Sequence, residues 1–198
     1  MKKLCMFIVL LGSSVLTFGQ AKIDSTLYKK LQAMFKEDQK WRIESGKLYS
    51  NKPSDYARAT VDKNWGIADS TNAAEAKRIL AKYGYPGYTL VGESGSSKFW
   101  AIVQHCDDDV PFQQQVLVLM KKEVDRKNAS GEDYAYLKDR VLTNLKQKQL
   151  YGTQGIRNPK TKLWAPLPIS NPAGVEARRK AMGMISLKQY TAEINTAN

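Results

Sequence analysis

Leu27, Leu31, Met34, Phe35 and Trp41 recur at spacings of three and four, which sets them on one face of an amphipathic helix over about residues 23–47. Asp38 and Arg42 project near the middle of that apolar stripe rather than opposite it. A charge facing a core needs a partner, because a buried unpaired charge is costly. The (i, i+4) Asp/Arg pair is therefore either an ion pair pinning neighbouring helices or part of a site. Residues 55–70 read as a second helix and 72–83 as a third, with Asn72 as N-cap, Glu75 in the capping-box position and Gly84 as the stop. Gly84, Gly87, Gly92 and Gly95 mark residues 84–97 as a turn-rich connector, extended at 89–91. It lacks the Lys-Ser/Thr ending and the strand-to-helix frame of a phosphate-binding loop.

Phe99, Trp100, Ala101, Ile102, Val103 and Cys106 leave residues 97–106 almost no polar face, which predicts a buried central helix ending at Gln104 and His105. The run Asp107, Asp108, Asp109 holds an N-cap for a helix opening at Val110 and Pro111 and carrying Phe112, Val116, Leu119 and Met120. A further helix over 132–146 has Tyr134, Leu137, Val141 and Leu145 as its stripe, with Tyr136 and Arg140 off it and Asp139 beside them. Two extended segments, 150–157 and 162–169, flank the turn Asn158-Pro159-Lys160-Thr161 and predict one β-hairpin. Asn171 and Pro172 open a helix that carries Arg178 and Arg179 and stops at Gly183; Ser186 begins a last short one through Tyr190. The expectation is a mainly α fold: a single domain of five to seven helices with one small β-hairpin.

Residues 1–19 form a separate unit. Lys2 and Lys3 precede an apolar run broken by Gly12, Ser13 and Ser14, and Gly19 offers a small residue before Gln20. The pattern predicts a secretory signal peptide, residues 20–198 as the mature domain, and a periplasmic or secreted location. The run falls short of the roughly 20 apolar residues of a membrane span, so no transmembrane span is expected after cleavage. Cys5 lies in the leader, leaving Cys106 without a disulfide partner. With 42% hydrophobic and 25% charged residues, the chain is neither a disordered polyelectrolyte nor a multi-span membrane protein. The formal charge of +12 raises nucleic acid as a partner, but most of the 31 basic residues are dispersed Lys and no nucleic-acid module is recognisable. No specific nucleic-acid partner is expected; weak attraction to anionic envelope polymers is.

Asp38-Gln39-x-x-Arg42, Lys82-Tyr83-Gly84-Tyr85-Pro86, Val91-Gly92, Gln104-His105, Tyr136-Leu137-x-Asp139-Arg140-Val141 and Gln149-x-Tyr151-Gly152-Thr153-Gln154, then Arg178-Arg179 and Gly183, form an ordered series. The series resembles bacterial domain-of-unknown-function family 6624 and covers nearly all of residues 20–198. The resemblance transfers no activity. It implies only that the polar motifs belong together.

Taken as one cavity between helices closed by the hairpin, these motifs have a definite chemistry. His105, the single histidine, has a reference pKa of about 6.5 suited to proton transfer near neutrality. Asp38 and Asp139 would orient it or activate water as the other catalytic candidates. Gln39, Arg42, Gln104, Arg140, Tyr151, Gln154, Arg178 and Arg179 would bind a ligand, the guanidinium forks holding an anion. Cys106 is a poor nucleophile, since adjacent helical side chains diverge by about 100°. A metal site at His105, Cys106 and the following carboxylates lacks spaced ligands, and no cofactor is expected. Three readings stand: a metal-independent hydrolase or lyase of the cell envelope, a non-catalytic binding protein for an anionic small-molecule or glycan ligand, and a structural module.

Overall fold

The computed structural model describes residues 23–196; the leader reading for 1–19 lies outside the described residues. Among the described residues the fold has seven α-helices and one two-stranded hairpin: α1 Ser25–Tyr49, α2 Arg58–Tyr83, α3 Tyr88–Gln104, α4 Val110–Asp125, α5 Gly131–Asn144, α6 Val175–Ala181 and α7 Leu187–Thr196. Strands β1 (Gly155–Arg157) and β2 (Trp164–Pro166) pair antiparallel, Ile156 opposite Ala165, and a short 3-10 turn at Pro172–Gly174 leads into α6. Among the described residues, no helix is long and apolar enough to cross a membrane.

Cross-helix bonds set the directions. Arg42 meets Asp69, Asn72 meets the Met34 carbonyl and Lys30 meets Glu75, so α1 and α2 run antiparallel. Asp24 meets Leu90, while Asp38 meets His105, so α3 runs parallel to α1. The core fills the space between these helices, α4 and α5 with Leu31, Ile79, Val91, Phe99, Ile102, Val116, Met120 and Leu137.

Two expectations are corrected. The second and third helices are one: α2 continues through residues 70–72, and Asn72 is no N-cap but a buried mid-helix residue whose amide donates to the Met34 carbonyl at 3.2 Å. Nor is 84–97 a connector. Helix begins at Tyr88, and only Gly92, at φ 71°, leaves helical geometry. The small residues are what α3 needs to lie against α1 and the chain around Tyr85: Gly95 packs on Tyr28, and buried Ser96 lies within hydrogen-bond distance of the Tyr85 hydroxyl. Tertiary packing thus outweighs the helix cost of Gly, about 1 kcal/mol each. Asn128 caps the start of α3, its carbonyl accepting from Tyr88 N and its side-chain oxygen from Thr89 N, both at 2.8 Å. The cap expected within Asp107–Asp109 is Asp109, the hairpin is present but its strands are confined to 155–157 and 164–166, the helix of 132–146 spans Gly131–Asn144, and α7 extends past Tyr190 to Thr196.

Candidate active site

His105 occupies the C-cap of α3, where that helix meets α1. Its Nδ1 lies 2.8 Å from Asp38 Oδ1. Asp38 keeps 1% side-chain exposure against 21% for His105, so the carboxylate lies beneath the ring and the ring reaches solvent. Arg42 Nε donates to the same Asp38 oxygen at 3.1 Å, and the Gln39 amide donates to Oδ2 at 2.7 Å. Burial pushes the Asp38 carboxyl upward, but the His105 hydrogen bond, the charges of His105 and Arg42, and the Gln39 amide together hold it below its ordinary value. An ionised carboxylate only accepts, so Nδ1 carries the hydrogen and Nε2 is the ring's open position. Nε2 has no partner among the described residues.

Helix α2 completes the group with two residues absent from the sequence-derived set. Asp69 Oδ1 accepts from the second arm of Arg42 at 2.6 Å, and Asp69 Oδ2 accepts from the Trp65 indole at 2.8 Å. The Arg42 guanidinium lies 4.9 Å from the Trp65 ring centre. Burial raises the Asp69 carboxyl above its ordinary value, against the opposing effect of Arg42. Trp65 and Asp69 fall on the α2 stripe of Val61, Ala68, Asn72 and Ala76. That stripe was the available signal, hidden by dividing the helix near residue 70.

The other sequence-derived residues take different places. Arg140 forms a fork with Asp107, to which Asn144 and Gln113 also donate. Burial raises the Asp107 carboxyl, but those donors, Arg140 foremost, bring it below its ordinary value. Gln104 contributes its carbonyl to the fully buried Gln113 amide. Asp139, fully buried, accepts the backbone N–H groups of Leu150, Tyr151 and Thr153 and the Thr153 hydroxyl. The same loop gives its carbonyls to guanidinium groups of α6: Leu150 O to Arg178 at 2.8 Å and Tyr151 O to Arg179 at 2.7 Å. Gln154 is tied through its backbone to the Gln149 side chain. The structure therefore joins Asp38, Gln39, Arg42 and His105 directly, sets Arg140 and the Gln104 carbonyl in a separate group with Asp107 and Gln113, and gathers Asp139, Tyr151, Gln154, Arg178 and Arg179 around the 149–154 loop.

Cys106 is buried, its thiol 3.5 Å from the Ile102 carbonyl and pushed by burial up to about 12, which removes it as a thiolate nucleophile. No group of three or more His, Cys, Asp or Glu side chains among the described residues could hold a metal ion.

The order of these motifs along the chain now has a family counterpart, since the model for a family of unknown function, DUF6624, matches residues 25–198. The chain belongs to the DUF6624 family. Neither the curated proteins nor the solved structures return a match. The matched span includes every residue of the His105 group, from Asp38 on α1 to the C-cap of α3.

Proposed function

We propose that this DUF6624 protein is a hydrolase or lyase of the cell envelope in which His105 moves a proton through Nε2 and Asp38 holds the ring. One observation carries the reading: a buried carboxylate, itself bound by Arg42 and Gln39, fixes Nδ1 at 2.8 Å while the ring stays 21% exposed. A carboxylate on Nδ1 selects the tautomer whose Nε2 lone pair accepts a proton and stabilises the ring once it is charged. The reading of an anion receptor at this place has less support. Arg42 already spans Asp38 and Asp69, and Arg140 already forks onto Asp107, so neither fork is open to a ligand. A neutral polar substrate, such as an envelope glycan, fits that charge balance better. Placement in the envelope rests on the leader pattern of residues 1–19.

The test is turnover of isolated envelope oligosaccharides, read as new reducing ends for a hydrolase or an ultraviolet-absorbing unsaturated product for a lyase. His105→Gln should remove turnover while the melting temperature moves by only a few degrees. Undiminished turnover in His105→Gln, or none in the parent protein on glycan, peptide and ester panels alike, overturns the proposal.

A further inference from the structure

A groove of about 450 Å³ lies where α1 meets α3. Half-buried Phe35 and exposed Ile43 give it apolar surface, Lys36 and Lys40 of α1 and Lys98 of α3 give it three ammonium groups, and Gln32 and Gln39 supply amides. No carboxylate lines it. None of the three lysines has an ion-pair partner among the described residues. Lys40 lies over the Trp41 and Tyr56 rings, and Lys98 sits 5.8 Å from the Tyr28 and Phe35 ring centres while donating to Ser94 of its own helix. Gln39 belongs both to this groove and to the His105 group: its amide donates at 2.7 Å to Asp38, the carboxylate that holds the imidazole. On α3, Lys98 precedes His105 by two helical turns, so both stand on one face about 10 Å apart along the axis.

We infer that the groove binds an acidic glycan, a sugar chain bearing anionic groups, and that the chain continues from Lys98 past Gln39 to His105. The inference rests on the proton-transfer reading only for the place where the chain reacts. Ammonium groups stand on both helices, which suits charges repeated along a chain; a fatty acid has one charge at one end and would leave two lysines unanswered. The amides offer donors and acceptors to hydroxyl groups, and Phe35 and Ile43 offer contact to the apolar faces of sugar rings. An ammonium is a point charge without a fork, so these lysines select for negative charge rather than for one anion's shape. At His105 itself the reacting unit stays uncharged, because Arg42 is already engaged by Asp38 and Asp69. The acidic units lie farther along, over the lysines.

The measurement is calorimetric titration with tetragalacturonate, with chitotetraose as a neutral chain of equal length and with laurate as a single-headed acid. The expected result is saturable binding of tetragalacturonate, roughly tenfold or more tighter than chitotetraose and weakening as salt is raised. Changing Lys36, Lys40 and Lys98 together to Gln should weaken it about tenfold or more, while the same three changed to Arg should retain it. Saturation should also shift the ring resonances of His105, the single histidine. His105→Gln should bind tetragalacturonate as the parent does, so binding without turnover of any substrate overturns the proton-transfer reading and leaves the groove standing. Chitotetraose or laurate binding as tightly as tetragalacturonate, undiminished binding in the triple Gln variant, or a His105 signal indifferent to saturating tetragalacturonate overturns the inference.

Discussion

At the scale of single residues, the two buried aspartates on which the candidate chemistry was placed are in opposite situations. Asp38 faces a half-open imidazole, whereas Asp139 spends its oxygens on the N–H groups of the 149–154 loop. Asp139→Asn would turn an amide N–H toward donors and leave buried groups unmet, so it should cost about 2–4 kcal/mol in urea denaturation. His105→Gln should cost about 1 kcal/mol or less, because the glutamine amide can still donate toward Asp38 and the ring is partly exposed. Equal losses from the two changes would contradict this division. The single histidine makes a sharper check possible. Nitrogen-15 spectra of the neutral ring should show hydrogen on Nδ1, and Asp38→Asn should give a mixture of tautomers. An Nε2–H ring in the parent protein would remove the basis for proton transfer. Asp38, Arg42 and His105 were legible in the sequence because a charge in an apolar stripe, or a lone imidazole ending an apolar helix, asks for a partner. Which partner it finds depends on helix directions, and no spacing in the chain specifies those.

Helices were legible wherever apolar periodicity was uninterrupted, and misread where small or polar residues served packing between elements. Residues 70–72 look like a boundary by local chemistry, yet the Asn72 amide has a better use across the helix pair, on the Met34 carbonyl. The Gly and Ser residues of α3 look like a loop, yet they are what permits its approach to α1. Glycine has a different meaning at the turn before β1. Gly152 sits at φ 77°, and a Cβ there would lie 2.8 Å from a Leu187 methyl and 3.0 Å from an Ile169 methyl. Gly84, the C-cap of α2, has φ 70° but open space around it. Mutation to Ala carries a backbone penalty of about 1–2 kcal/mol at Gly152 and, because ψ of −155° puts Gly84 where essentially only glycine is found, about 1–3 kcal/mol there. Only Gly152 adds overpacking, of about 1–3 kcal/mol. Gly152→Ala should therefore destabilise the protein by about 2–5 kcal/mol and Gly84→Ala by about 1–3 kcal/mol. Thermal unfolding of the two variants checks the order, and a reversed order would mean that the loop on Asp139 yields more easily than its hydrogen bonds imply.

For the whole molecule, carboxyl groups shifted in opposite directions shape the dependence of stability on pH. Asp38 and Asp107 are held below their ordinary values after their donors outweigh burial. Their contribution is full above the unfolded value near 4 and is lost as pH falls through the lower folded values. Asp133, in the first turn of α5, is moved the other way: burial, with the Glu132 charge, pushes its carboxyl up to about 7. Its neutral form is the one the fold favours, so that contribution is present below about pH 4 and is lost as pH rises toward 7. Partial exposure and the favourable helix N-terminus reduce the effect to about 1–2 kcal/mol. The formal charge of +12 grows as carboxylates take up protons, adding repulsion on the acid side that salt screens. Stability should therefore peak near pH 5, fall steeply below 4 and decline gently toward 8. Asp133→Asn should reduce the alkaline decline, to which the raised Asp69 also contributes, stabilising the protein by about 1–2 kcal/mol at pH 8 and leaving pH 4 unchanged. Raising sodium chloride should lift the acid limb alone. Urea melts across pH 3 to 8 in two salt concentrations separate the two causes. An Asp133→Asn variant that gains nothing at pH 8, or an acid limb indifferent to salt, would show that other groups set the curve.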